Sequence, residues 1–237
     1  MLEVDGVLLV DKPCGPTSHD IVNRIRRTFK IEKVGHGGTL DPNATGLLLI
    51  LLGKGTKLSD TLMGGDKAYT GVMHLGRVTS SQDCEGELLE EHPTDAITRE
   101  QVDAALKSFQ GDIFQTPPMV SAIKVNGVPL YKLARKGQEV ERKPRFVHIY
   151  RIGVTVWEPP LATFDVVCTK GTYVRTLAHD AGQQLGCGAC LDALRRTKSG
   201  TFSVTDATPL EDLLAMDTAE LVRRVIPCNR ALEMLRR

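Results

Sequence analysis

The sequence has almost no net charge. Its 30 Lys and Arg against 29 Asp and Glu leave +1 over 237 residues. The total therefore selects neither a polyanionic nor a membrane-surface partner. Long apolar runs are missing too. The longest, residues 47–52, falls far short of the roughly 20 residues a membrane-spanning helix needs and suits a buried strand. No basic region leads into an apolar core near the N-terminus, so a secretory signal is not expected. Cysteines are few and scattered, in a chain large enough to fold without covalent staples, so a reduced, cytoplasmic protein is expected. Cys187 and Cys190 form a single C-x-x-C. With no second pair this does not make a zinc site, and two cysteines packed in a small-residue turn account for it.

Cofactor signatures are absent as well. Gly53-Lys54-Gly55-Thr56 fails as a phosphate-binding loop, because Leu48 and Gly55 stand where that motif needs Gly and Ser or Thr. No G-x-G-x-x-G stands between a strand and a helix, and no G-x-S-x-G elbow is present. The histidines, at 19, 36, 74, 92, 148 and 179, make no H-E-x-x-H or other metal spacing. Neither a metal nor an organic cofactor is expected.

What the chain does contain is an ordinary globular composition, 41% hydrophobic and 25% charged. Its charge is unevenly spread. Between Ser121 and Arg151 stand Lys124, Lys132, Arg135, Lys136, Arg142, Lys143, Arg145 and Arg151, against Glu139 and Glu141. Between Gln82 and Asp103 the balance reverses to acids, with Arg99 the exception. Such polarity suits one face on a polyanion, and equally suits solvated charge on unrelated loops.

The most informative stretch is Val34-Gly35-His36-Gly37-Gly38-Thr39-Leu40-Asp41-Pro42. Three closely spaced glycines mark backbone that turns tightly or approaches something closely. Pro42 holds Asp41 in an extended or turn conformation, off a regular helix. A glycine loop that aims one acid is a way to present a reactive carboxylate. From spacing alone, simple turn punctuation accounts for it equally well.

Periodicity predicts strands at residues 7–10, 46–52, 69–75, 123–125, 146–157 and 163–169. Glu158-Pro159-Pro160 is read as the turn between the last two. A helix with Ile21, Ile25 and Phe29 on one face starts at Thr17 or Ser18, with Asp20 at capping-box spacing from Thr17. Thr98 and Gln101 suit the start of another, burying Val102, Ala105, Leu106 and Phe109. A third carries Val174, Leu177, Ala178 and Ala181 and ends near Gly186. Further helices are expected over residues 56–62, 191–196, 210–215 and 219–225. The fold class is α+β, a mixed, mainly antiparallel β-sheet flanked by helices. Residues 1–227 are expected to form one catalytic domain with a helical C-terminal part, and residues 228–237 a short tail.

Several segments in order resemble the bacterial TruB family of tRNA pseudouridine synthases. Lys12-Pro13-Cys14-Gly15-Pro16-Thr17-Ser18 is similar to the family's K-P-x-G-x-T-S opening. Residues 34–48, VGHGGTLDPNATGLL, resemble its catalytic motif. Asp66-Lys67-Ala68-Tyr69, with Leu75-Gly76 and Thr79, resembles the segment carrying its active-site tyrosine. Further blocks are Pro117-Pro118 to Lys124, Leu130-Tyr131-Lys132-Leu133-Ala134-Arg135, Gly171-Thr172-Tyr173-Val174-Arg175-Thr176-Leu177, Leu185-Gly186-Cys187-Gly188-Ala189 and Leu194-Arg195-Arg196.

The resemblance implies a pseudouridine synthase fold and an isomerase acting on the T-loop uridine of tRNA. The base is flipped out of its stack, as chemistry on stacked bases requires. The resemblance implies Asp41 as the nucleophile, Arg175 as its cationic partner and Tyr69 stacked on the uracil. Tyr173 and Leu194 line the pocket, His36 fills the gap in the T loop, and Lys12 supports the Tyr69 side. The segment from Val125 to Arg145 is a basic arm on the T stem. The partner is tRNA, with no membrane and no metal, and the state a monomer. Most bacterial members continue into an RNA-binding PUA domain, which residues 228–237 are too few to form. A tRNA-folding chaperone and a hydrolase using Asp41 are the alternatives. The hydrolase lacks a second carboxylate or base at a recognisable spacing.

Overall fold

The computed structural model describes residues 2–121, 123–125, 127–134 and 136–235. In chain order these form β1 (Gly6–Lys12), α1 (Ser18–Phe29), β2 (Val34–His36), β3 (Thr45–Leu52), α2 (Ser59–Met63), β4 (Lys67–Leu75), β5 (Arg77–Thr79) and β6 (Leu88–Glu91). Then come α3 (Arg99–Lys107), β7 (Gly111–Gln115), β8 (Lys124–Val125), β9 (Val128–Pro129), α4 (Leu130–Ala134), β10 (Arg145–Glu158), β11 (Leu161–Cys168) and α5 (Val174–Leu185). The chain closes with β12 (Ala189–Ser199), β13 (Phe202–Ser203), β14 (Thr208–Pro209), α6 (Leu210–Ala215), α7 (Thr218–Arg224) and α8 (Cys228–Leu235). Contacts divide it into two compact units, Met1–Tyr69 with Leu194–Arg237, and Thr70–Ala193.

The first unit is built from both ends of the chain. Its strands run β14-β1-β3-β12, with β2 on β3 and β13 on β12. β1 and β3 are antiparallel from Gly6 opposite Leu52 to Lys12 opposite Gly46. β14 is parallel to β1, and Arg195 and Arg196 of β12 pair in parallel with Thr45 and Gly46. The unbroken apolar run in β3 belongs to a strand covered on both faces. Leu48, Ile50 and Leu52 pack with Leu8 and Val10 against Ile21, Ile25 and Phe29 of α1 and Leu213 of α6. Leu47, Leu49 and Leu51 pack with Val7 and Leu9 against Leu62, Phe202 and Ala231. Each such side chain contributes roughly 1.5–3 kcal/mol. Ala231 lies in α8, whose Met234 and Leu235 also pack against this core.

The second unit is one continuous segment. Its strands run β4-β11-β10-β7, with β10–β11 and β10–β7 antiparallel. Glu158 faces Leu161 across the expected Pro159–Pro160 turn. At the β7 edge, Phe114 opposite Phe146 forms an exposed edge-to-face pair, ring centroids 5.9 Å apart.

Local signals explain the helix ends. Thr17 and Asp20 close a capping box on α1, and Thr98 and Gln101 close one on α3. Gly186, in the left-handed conformation at φ 75°, ends α5. The helix expected over residues 191–196 is instead part of strand β12. Leu191 and Leu194, three apart, fit a helix period, and the pairing of Arg195 and Arg196 with β3 overrides it. The helix expected over 56–62 is a 3-10 turn, Gly53–Leu58, followed by α2. Ala122, Asn126 and Arg135, which fall within the family blocks and the basic arm, lie outside the described residues.

Candidate active site

In the first unit the Asp41 turn is anchored from several sides. Gly37 N–H donates to Leu49 O at 2.8 Å as the chain leaves β2. Gly38 takes φ +118°, a conformation open to glycine. The Arg196 guanidinium, 2% exposed, then gathers the loop. Its Nε donates to Leu47 O at 2.7 Å, Nη2 to Gly38 O at 3.2 Å and Nη1 to Thr39 O at 3.3 Å. Ser18, at the start of α1, holds Leu40 at both ends: Leu40 N–H donates to Ser18 Oγ at 2.9 Å, and that hydroxyl donates to Leu40 O at 3.1 Å. Beyond Asp41, the fully buried Lys12 ammonium donates to Pro42 O at 2.6 Å, Ala44 O at 2.7 Å and Pro13 O at 3.0 Å. Ala44 N–H closes the turn on Asp41 O at 3.1 Å. Asp41 itself is exposed at the crest.

Electrostatics at the turn follow from this burial. Desolvation lowers the Lys12 pKa to about 8, although Cys14 and the Asp41 carboxylate favour its charged form. His36, at the end of β2 and half-buried, is also pushed down, by desolvation first and then by Arg196 and His19. Tyr69 and Leu194, both half-buried, pack against the apolar cluster that holds α1. The first unit thus contains Lys12, His36, Asp41, Tyr69 and Leu194. The Lys12 ammonium is engaged with the carbonyls of the Asp41 turn.

Tyr173 and Arg175 belong to the second unit, at the start of α5. Gln115, at the end of β7, clamps the Tyr173 backbone. Tyr173 N–H donates to Gln115 Oε1 at 2.7 Å, and Gln115 Nε2 donates to Tyr173 O at 3.0 Å. Arg175 is 5% exposed. Its Nη1 donates to Ser81 O and to Asp83 Oδ2, each at 3.1 Å, and Nη2 to Val120 O at 2.8 Å. Asp83 is fixed in turn, since Ser81 Oγ donates to its Oδ1 and Glu85 N–H donates to the same oxygen at 3.2 Å. The two C-x-x-C thiols have different neighbours. Cys187 Sγ donates to Gly188 O at 3.3 Å, and Cys190 Sγ lies 2.9 Å from Cys84 Sγ.

Ser18, Asp83, Gln115 and Arg196 carry this geometry, and the sequence assigned none of them a site role, although Ser18 and Arg196 stand in the family blocks. Asp83 is one of many acids in its stretch. Its signal is the turn chemistry of Ser81-Gln82-Asp83-Cys84-Glu85-Gly86, in which a side chain two residues back can hold the carboxylate. Arg196 has no such signal, being one of several charges in Arg195-Arg196-Thr197-Lys198.

Comparison with known proteins agrees with this architecture. The model of the TruB family pseudouridylate synthase N-terminal domain matches residues 26–174. That of the tRNA pseudouridylate synthase B C-terminal domain matches residues 175–233. The tRNA pseudouridine synthase B of Opitutus terrae is 53% identical over 229 residues, covering 97% of this chain and 95% of that protein. Its counterpart in Stutzerimonas stutzeri is 51% identical over 211 residues, 89% of this chain and 69% of that one. Among solved structures, a chain of a Cbf5-Nop10-Gar1 complex superposes with a TM-score of 0.75 at 32% identity, over 97% of this chain. This chain spans 62% of the length of that one. The two family models meet end to end, and the relatives match along nearly the whole length: the chain belongs to the TruB family of pseudouridylate synthases, isomerases that act on tRNA.

Proposed function

We propose that Asp41 is the nucleophile with which this chain isomerises one uridine in the T loop of tRNA. The observation that carries the assignment is an exposed carboxylate on a turn whose flanking carbonyls are held by buried Lys12, Ser18 and Arg196. A nucleophile must be reachable and fixed, and such positioning supplies a large part of a rate enhancement. The uridine leaves its stack and enters the site. The N-glycosidic bond breaks, the uracil turns over, and it rejoins the sugar through carbon 5, whose proton is lost. Every bond exchanged lies within one nucleotide.

Arg175 is assigned to keep Asp41 ionised in the substrate complex. Tyr69 stacks on the uracil, an interaction worth about 1–3 kcal/mol, and its hydroxyl serves proton removal at carbon 5. Tyr173 and Leu194 line the pocket, and His36 occupies the space the base leaves in the T loop. Lys12, expected to support the Tyr69 side, is read here as a positioning residue for the Asp41 turn. The basic segment from Val125 to Arg145 contacts phosphates, giving salt-dependent affinity without sequence information. The protein acts as a cytoplasmic monomer.

Unmodified tRNA incubated with the protein, then mapped by carbodiimide-induced primer stops, shows one new stop in the T loop. Asp41→Asn abolishes that stop and leaves tRNA binding intact. Turnover by the variant removes Asp41 from its role.

A further inference from the structure

Cys84 and Cys190 are 106 residues apart in the chain, yet their sulfurs approach to 2.9 Å. Both lie in the second unit, and backbone pairing brings them together. Cys84 N–H donates to Leu191 O at 3.0 Å, and Leu191 N–H donates to Gln82 O at 2.9 Å. Asp83 stands opposite Leu191 in a parallel bridge. A disulfide needs about 2.05 Å between sulfurs, so the two must close by less than one ångström. Cys84 is an exposed residue and Cys190 a buried one, which gives a reagent an approach from the Cys84 side. The segment they tether also holds Arg175, through Ser81 O and the Asp83 carboxylate, each 3.1 Å from Nη1.

We propose that Cys84 and Cys190 are a disulfide-forming pair that exchanges with small-molecule disulfides such as oxidised glutathione, and that closing the bridge loosens the hold of residues 81–83 on Arg175. The Cys84 thiolate attacks one sulfur of the small disulfide. A mixed disulfide forms and one thiolate leaves. The Cys190 thiolate then attacks the Cys84 sulfur, forming the bridge and releasing the second thiolate. The two cysteines lose two electrons and two protons, and the small disulfide becomes two thiols. Burial pushes both thiols up. Asp192 pushes in the same direction on both, and Asp83 does so on Cys190, where Arg77 opposes it. The exchange is therefore slow at neutral pH and quickens as pH rises. The effect on turnover rests on the role proposed for Arg175, and the bridge itself does not.

The test treats the full chain with oxidised glutathione at pH 8, blocks remaining thiols with N-ethylmaleimide, and reads intact mass, peptide map and tRNA modification together. The expected result is loss of label at Cys84 and Cys190 together, no glutathione retained on either and one cross-linked peptide pair containing both, whatever the exposed Cys14 takes up. Turnover falls about tenfold, since misplacing a site group by an ångström can cost about a hundredfold, and dithiothreitol restores it. Cys84→Ser keeps its reduced-state turnover and is insensitive to oxidised glutathione. Six labelled thiols after treatment, glutathione stably attached to Cys84, or a bridge to another cysteine overturns the pairing. A mapped Cys84–Cys190 bridge with unchanged turnover overturns the link to Arg175. A reduced protein without turnover counts against the catalytic reading alone, because the peptide map needs no activity.

Discussion

Arg196 does at one position what a longer loop would need several residues to do. Its three donors satisfy Leu47, Gly38 and Thr39 carbonyls at once, on a side chain almost closed off from solvent. Arg196→Met removes all three bonds and leaves the buried Leu47 carbonyl unpaired, with those of Gly38 and Thr39 released. Stability falls by about 3 kcal/mol, or about 6–12 °C in Tm by calorimetry. Turnover falls with it while tRNA binding persists. Gly46 fails for a related reason. It takes φ +97°, and a Cβ there meets Arg196 O at 2.3 Å. Gly46→Ala therefore strains the backbone and displaces the same arginine, and its Tm falls even though the side chain gained is only a methyl. Lys12 adds a pH signature. Its pKa in the folded chain is about 8, below the 10.5 of an unperturbed lysine. Between those values the unfolded chain holds a proton that the folded chain has released. The contribution of this group to stability thus rises with pH from 8 to 10.5 and is lost as pH falls through 8. Tm measured against pH shows this upward component in the wild type and lacks it in Lys12→Met.

At the scale of elements, legibility tracked how local the determining interaction is. The α1 and α3 starts were readable because a capping box is a contract between residues three apart. The Thr17 box also sets where α1 begins, and hence where Ser18 meets Leu40. Thr17→Ala lowers stability by about 1 kcal/mol in denaturant unfolding. β3 was readable because a run of leucines with no polar face has to be covered on both sides. β12 was not, since the spacing of Leu191 and Leu194 is that of a helix and only the distant pairing with β3 makes the segment a strand. The same distance effect hid Asp83 and Arg196. Each appears in sequence as an ordinary charge, and its partner lies 92 residues away for Asp83 and 149 to 158 away for Arg196. The turn that carries Asp41 was legible because Gly38 and Pro42 shape its backbone directly.

At the scale of the whole molecule, the family and its substrate class were legible from blocks spread along the chain, while the division into two units was not. No composition shift or linker marks residues 69–70 or 193–194, because strands β4 and β12 run straight through both boundaries. A boundary inside a strand carries none of the Gly, Pro or polar punctuation that betrays a linker. The consequence concerns the order of manufacture. β1 is flanked by β3 and β14, and Val7 exchanges backbone bonds of 2.8 Å with Ile226 in both directions. β1 therefore waits for partners that follow residues 70–193 in the chain, whereas those residues emerge as one unbroken stretch. On chains stalled shortly after residue 193, limited proteolysis finds the second unit protected and residues 1–69 cut. Protection of residues 1–69 appears only when β14 and helices α6 to α8 are released, so each new copy keeps its Asp41 turn unassembled until those elements are made.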